Sequence, residues 1–154
     1  MSKLRKSTEQ DLIHPLAKQY PTKYCKWCGC RLSGKKTSFC CQHCVHEWSM
    51  RTSPSYAREC VLARDKGICS VCGLDTLKLE ARIYEKHPKS KVKRDKLIIK
   101  LGFNNNRALW EADHLKSVHK GGGMCSLDNY VTACYRCHLS KTKKENEELR
   151  KSKL

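Results

Sequence analysis

The spacing of twelve cysteines within 154 residues restricts this chain more than any other feature. Cys-x-x-Cys pairs occur at Cys25 and Cys28, Cys69 and Cys72, and Cys134 and Cys137, with Cys40, Cys41 and Cys44 forming a further group. Pairs spaced in this way are the knuckles of thiolate zinc sites, in which four sulfurs hold one tetrahedral ion. A disulfide framework is the alternative, and it requires an oxidising compartment. The opening stretch MSKLRKSTEQDLIHPLAKQY has neither the apolar segment nor the cleavage site of an export signal. The expectation is a reduced, cytoplasmic, zinc-binding protein. Some support beyond a core is required: hydrophobic residues make up 39% of the chain and aromatic residues 7%, thin material for a small domain. No run reaches membrane-span length. The run Cys134-Tyr-Arg-Cys137-His138 also fits the C-x-x-C-H pattern of haem attachment, but attachment generally follows export, so no haem is expected.

Charge narrows the partner. Thirty-two Lys and Arg against fifteen Asp and Glu leave a formal charge of +17. A field of that sign and size favours a polyanion, and nucleic acid is the commonest. Solubility or an acidic protein partner are the blander readings.

Along the chain, residues 1–24 read as a basic N-terminal arm, and residues 25–52 as a four-cysteine zinc segment of zinc-ribbon or treble-clef type. Cys25 and Cys28 are separated by eleven residues from a group containing Cys40 and Cys44. Cys41 competes with Cys40, because Cys41-x-x-Cys44 is also a permitted spacing; Cys30, His43 and His46 are spares. In TSPSYARECVLARDKG, Ser53 is a plausible cap with Pro54 in the first helical position, and Tyr56, Ala57, Cys60, Val61 and Ala63 recur at helical spacing. Gly67 would end that helix. The segment from Asp75 is expected to open as a helix and to become basic and loop-like after Pro88, without assigned chemistry. ALWEADHLKSV is strand-like, HKGGGM a flexible loop, and SLDNYVTACYRCHLSKTKKENEELRKSKL helical with an embedded knuckle. Glu147 and Glu148 with Lys151 support a charged helix end over 146–154.

Four fragments stand in order between residues 64 and 141: RDKGICSVCG, ADHLKSVHKGGG, SLDN and CYRCHLSK. Together they resemble the HNH endonuclease family. The resemblance implies an α+β fold over 53–145, a small zinc-stabilised ββα-metal domain in which a hairpin and a helix share one site. The family's His, Asn and His fall on His114, Asn129 and His138, and its zinc clip on Cys69, Cys72, Cys134 and Cys137. The upstream CKWCGC…SFCCQHCVHEWSMRTSPSY resembles the cysteine-rich lead-in to the nuclease module of some fork-remodelling helicases, which favours Cys40 over Cys41; no helicase motor is present. Ser117 departs from the family, where proline is common.

The resemblance assigns roles. His114 is the general base for a water that attacks DNA, leaving 3′-hydroxyl and 5′-phosphate ends. Asp113 and His138 are suited to hold one divalent cation, Mg or Mn, with Ni or Co also accepted. Asn129 is expected to fix the hairpin and orient His114, or to join the metal shell. Each zinc with four thiolates has no place left for water and is structural, giving two structural zinc sites. Arg58, Arg64, Lys116 and Lys120 are candidates for the DNA backbone. In a regular strand Asp113 and His114 point to opposite faces, so a shared site requires the strand to end or twist there. A zinc-stabilised DNA-binding protein without catalysis is the alternative; a monomer and a homodimer are both open.

Overall fold

The computed structural model describes residues 20–105 and 108–152. The expected arm over 1–24 falls largely outside them. The chain divides into two compact units after Pro54. Among the described residues no helix is long and apolar enough to cross a membrane.

Among the described residues the first unit is built on a knuckle and one helix, α1 (Gln42–Thr52). The Cys25 amide donates to the Cys30 carbonyl at 2.8 Å, and the Gly29 amide returns to the Cys25 carbonyl at 2.9 Å. The small core consists of Cys25, Leu32 and Cys44, with Trp27, Phe39 and Cys40 packed against it. Half of that core is metal-ligating residue types, as the shortage of apolar residues demands. Arg51 lies over the Trp27 ring and Phe39 tilts against Trp48.

The second unit opens within the first turn of α2 (Pro54–Asp65), whose buried Ala57 and Val61 sit one turn apart. Gly67 then reverses the chain at φ +73°, where an added Cβ would come within 2.7 Å of Leu77 Cγ. The knuckle that follows repeats the first: the Cys69 amide donates to Leu74, and the Gly73 amide to Cys69, each at 2.9 Å. Asp75 caps α3 (Thr76–Lys86) by accepting from the Lys78 amide at 2.8 Å. The segment after Pro88, expected as loop, is instead α4 (Lys91–Lys100), capped by Ser90. Leu97 and Ile98 pack against the main core while Arg94 lies over Tyr84 of α3, and those tertiary contacts stabilise a helix that its charge alone would not.

Two strands complete the unit: β1 (Trp110–His114) and β2 (Tyr130–Cys134) pair antiparallel, with Trp110 opposite Cys134, Asp113 opposite Val131 and His114 opposite Tyr130. The helix expected over the whole of 126–154 is corrected in its first part. Leu127–Asn129 is a single 3-10 turn and Tyr130–Cys134 a strand; α5 (Tyr135–Lys151) starts only there. It runs without a break past residue 146. The core of this unit comprises Cys69, Ile83, Phe103, Leu109 and Cys134. The order β1, β2, α5 is the ββα arrangement the fold expectation named.

Candidate functional site

Two groups of four cysteines converge: Cys25, Cys28, Cys40 and Cys44 in the first unit, and Cys69, Cys72, Cys134 and Cys137 in the second, each with its sulfurs within 4.8 Å of one another. Thiolates at about 2.3 Å from a tetrahedral ion stand about 3.8 Å apart along each edge. The separations here match: Cys28 to Cys40 is 3.5 Å, Cys40 to Cys44 3.4 Å and Cys72 to Cys134 3.7 Å. The donor set therefore fits zinc. Cys41 stands 3.6 Å from Cys44 and 3.8 Å from Cys40 but is not a member of the converging four. The pair inside the C-x-x-C-H run converges on Cys69 and Cys72.

Electrostatics point the same way. Burial pushes the Cys69 thiol up, but the Cys134, Cys72 and Val71 amides and the Cys72 thiol outweigh it and bring its pKa to about 7. In the first unit, burial opposes and the amides of Cys28, Cys40 and Trp27 prevail, lowering Cys25 to about 6. Cys137 is driven the other way by burial and by its neighbouring thiols. Four sulfurs so close cannot all ionise without a compensating cation.

The second zinc-type group fixes the start of α5, and this sets the neighbouring residues. His138 follows Cys137 directly, and its Nε2 lies 3.9 Å from Asp113 Oδ1 on β1. Two donors to one ion at about 2.1 Å each can be no more than about 4.2 Å apart, so this pair fits a shared cation. The Asp113 carboxylate is largely enclosed, with 12% of its side chain exposed. It also accepts the His114 amide at 2.8 Å and the Lys141 ammonium at 2.9 Å. Lys141 donates in addition to the His114 carbonyl.

His114 is the last residue of β1, its ring 4.4 Å from that of Tyr130. Burial lowers its pKa, with Asp113 opposing and Lys141 reinforcing the shift. A neutral imidazole is thereby favoured, the form able to accept a proton.

Asn129 turns its side chain onto the loop. Its Oδ1 accepts the Lys116 amide at 2.8 Å, and its Nδ2 donates to the carbonyls of Lys116 at 3.1 Å and Gly122 at 2.9 Å. The Leu115 amide also donates to its carbonyl at 2.8 Å. Only glycine fits at 122, where a Cβ would fall 1.7 Å from the Lys116 carbonyl oxygen. Ser117 donates its hydroxyl to Glu145 of α5.

Of the four cations expected at DNA, two turn onto partners inside the second unit and a third forms an exposed surface pair. Arg58 pairs with Glu111 at 3.0 Å, donates to the Trp110 carbonyl and lies 3.8 Å over the Trp110 ring. Arg64 grips Asp65 and donates to the carbonyls of Leu127 and Tyr130. Lys120 pairs with Glu148 at 3.0 Å, where the pairing expected for Glu148 was with Lys151. Lys116 is exposed and carries no ion pair among the described residues.

Lys141 and Glu145 were missed from the sequence. Their signal was present in the spacing: His138, Lys141 and Glu145 recur on one face of a helix. Asp65 and Glu111 gave no signal, because their partners come from other elements.

The HNH endonuclease family model matches residues 101–144. The "DNA annealing helicase and endonuclease ZRANB3" of Mus musculus is 33% identical over 129 residues, and that of Homo sapiens 30% over 131 residues. Each alignment covers 77% of this chain, which itself spans 12% of those relatives' length. Among solved structures, that of the human ZRANB3 HNH domain aligns with a TM-score of 0.48 and 29% identity, over 67% of this chain and 99% of that one.

Proposed function

The chain carries a domain of the HNH endonuclease family, and from that premise we propose that it hydrolyses phosphodiester bonds of DNA. The observation that carries the reading is the approach of the Asp113 carboxylate and the His138 imidazole to 3.9 Å, from different elements, beside the end of the strand that bears His114. Asp113 and His138 would hold a divalent cation, Mg or Mn in preference to Ni or Co, which would supply charge to the phosphoryl oxygens and the departing oxygen. His114, neutral at physiological pH, takes the proton of the attacking water. Asn129 acts on the loop, keeping the end of β1 in place, and not as a ligand. Lys141 holds Asp113 in line and neutralises it until a cation arrives. The two zinc ions remain structural, since thiolates fill all four positions of each.

A non-catalytic DNA-binding protein is the second reading. The Lys141 ammonium on Asp113 favours it, because that ion pair balances the carboxylate without any divalent metal. A supercoiled-plasmid nicking assay with Mg or Mn separates the two. The parent chain nicks, and His114→Ala lowers the rate by about 100-fold or more. An inactive parent whose zinc content is intact rejects catalysis; an unimpaired variant rejects His114 as the base.

A further inference from the structure

Arg58 and Arg64 are committed to internal partners and Lys120 to a surface ion pair, which leaves Lys116 as the one of the four without an ion pair among the described residues; a denser group of exposed cations lies elsewhere in the second unit. Residues 76–100 hold nine Lys and Arg against three Asp and Glu, and all of them precede the 101–144 stretch that matches the family. On α3, Lys78, Arg82 and Lys86 recur at i, i+4 and i+8, and all three are exposed. Such residues lie along one helix face, about 6 Å apart in rise. The same helix buries Thr76 and Ile83 toward the core, which keeps the cationic row at the surface. Glu85 stands three residues from Arg82, within reach for an ion pair, yet no ion pair forms among the described residues. Like charges at i, i+4 repel one another along a helix, a repulsion that an external anion would relieve. On α4, Lys93, Lys96 and Lys100 form a second exposed row at i, i+3 and i+7.

We propose that the α3–α4 hairpin is an accessory contact surface for the phosphate backbone of duplex DNA, with Lys78, Arg82 and Lys86 as its principal contacts. The proposal rests on reading DNA as the substrate of the neighbouring site. It places substrate affinity on elements separate from the hairpin that carries Asp113 and His114. Because phosphate contacts carry no base information, the surface increases affinity without selecting a sequence.

The experiment is a fluorescence-anisotropy titration of a labelled duplex of about 30 base pairs, in the full chain carrying His114→Ala so that the probe stays intact, over a series of salt concentrations. Each phosphate contact contributes about 0.9 to the slope of log K against log salt. The additional triple change K78Q/R82Q/K86Q should make that slope shallower by about 2.7, and K78R/K86R should preserve it. Zinc content and thermal midpoint equal to the starting chain establish that the fold is intact. If the starting chain binds with a salt-dependent affinity and the triple variant keeps the same slope, the accessory surface is rejected while the nuclease reading stands. If the starting chain does not bind the duplex, the DNA reading itself falls. Retention on poly-glutamate that is lost in the triple variant while the duplex slope is unchanged identifies an acidic protein as the partner, and also rejects the proposal.

Discussion

Asn129→Ala removes three hydrogen bonds that join the end of the hairpin loop to its beginning: 2.8 Å from the Lys116 amide, 3.1 Å to the Lys116 carbonyl and 2.9 Å to the Gly122 carbonyl. A typical intramolecular hydrogen bond contributes about 0.5–1.5 kcal/mol net, because water replaces it on exposure. Lys116 is exposed and water can substitute there, while Gly122 is buried, so its carbonyl falls at the upper end. The sum is about 2–3 kcal/mol against local opening of the loop. Hydrogen exchange reads this directly, at the Lys116 amide and at the Gly122 amide, which donates to Ser117 at 3.0 Å. Exchange at both should accelerate by about 30- to 150-fold, with amides of the α3 helix unchanged. Asn129→Asp is a sharper variant. An ionised carboxylate accepts only, so it keeps the bond from the Lys116 amide and sets an acceptor against two carbonyls. Its charged form is disfavoured in the fold, so its folded pKa lies above its unfolded value, and the loop regains protection as the pH falls and the carboxyl is protonated. Exchange within threefold of the parent in the alanine variant, or protection in the aspartate variant that does not rise on acidification, would refute the clasp.

The identity of the fourth ligand in the first unit is decided by metal content: Cys41→Ser should retain two zinc ions per chain and Cys40→Ser should lose one, as measured by atomic absorption after gel filtration. Equal zinc in both variants would show that the two sulfurs substitute for each other. Asp65, gripped chiefly by Arg64 and secondarily by the Thr132 amide, has its pKa lowered in the fold. Its contribution is therefore fully present above its unfolded value of about 3.9 and is lost as pH falls through the folded pKa. Asp65→Asn should be less stable than the parent at neutral pH and converge with it in acid, read from urea midpoints. A difference that stays constant into acid would contradict the ion-pair account.

Thiolate spacing marked the Cys-x-x-Cys pairs, but it permitted Cys41 as readily as Cys40; the choice of Cys40, the joining of Cys69 and Cys72 to Cys134 and Cys137, and the placing of Asp113 with His138 all came from the family resemblance. Other features depended on tertiary context. Tyr130–Cys134 joins directly to α5 with no glycine or proline between them, so helical periodicity appeared to run through a segment that becomes a strand only because β1 pairs with it. The basic run after Pro88 looked like loop because Leu97 and Ile98 gain their value from the core they meet. The inward roles of Arg58 and Arg64 join residues about fifty to sixty-six positions apart, a separation at which spacing rules give no guidance. Local chemistry could be read at each position; the choice of partner could not.

Helix α5 has a consequence for how this region can vary. From one end to the other it presents Cys137 to the sulfur cluster, His138 and Lys141 to Asp113, Glu145 to Ser117 and Glu148 to Lys120. It is a ruler on which every mark has its own reader. An inserted or deleted residue rotates everything beyond it by about 100°, moving all later marks off their readers at once. Natural variation should therefore alter the outward side chains of this rod freely while leaving the count between Cys137 and Glu148 unchanged.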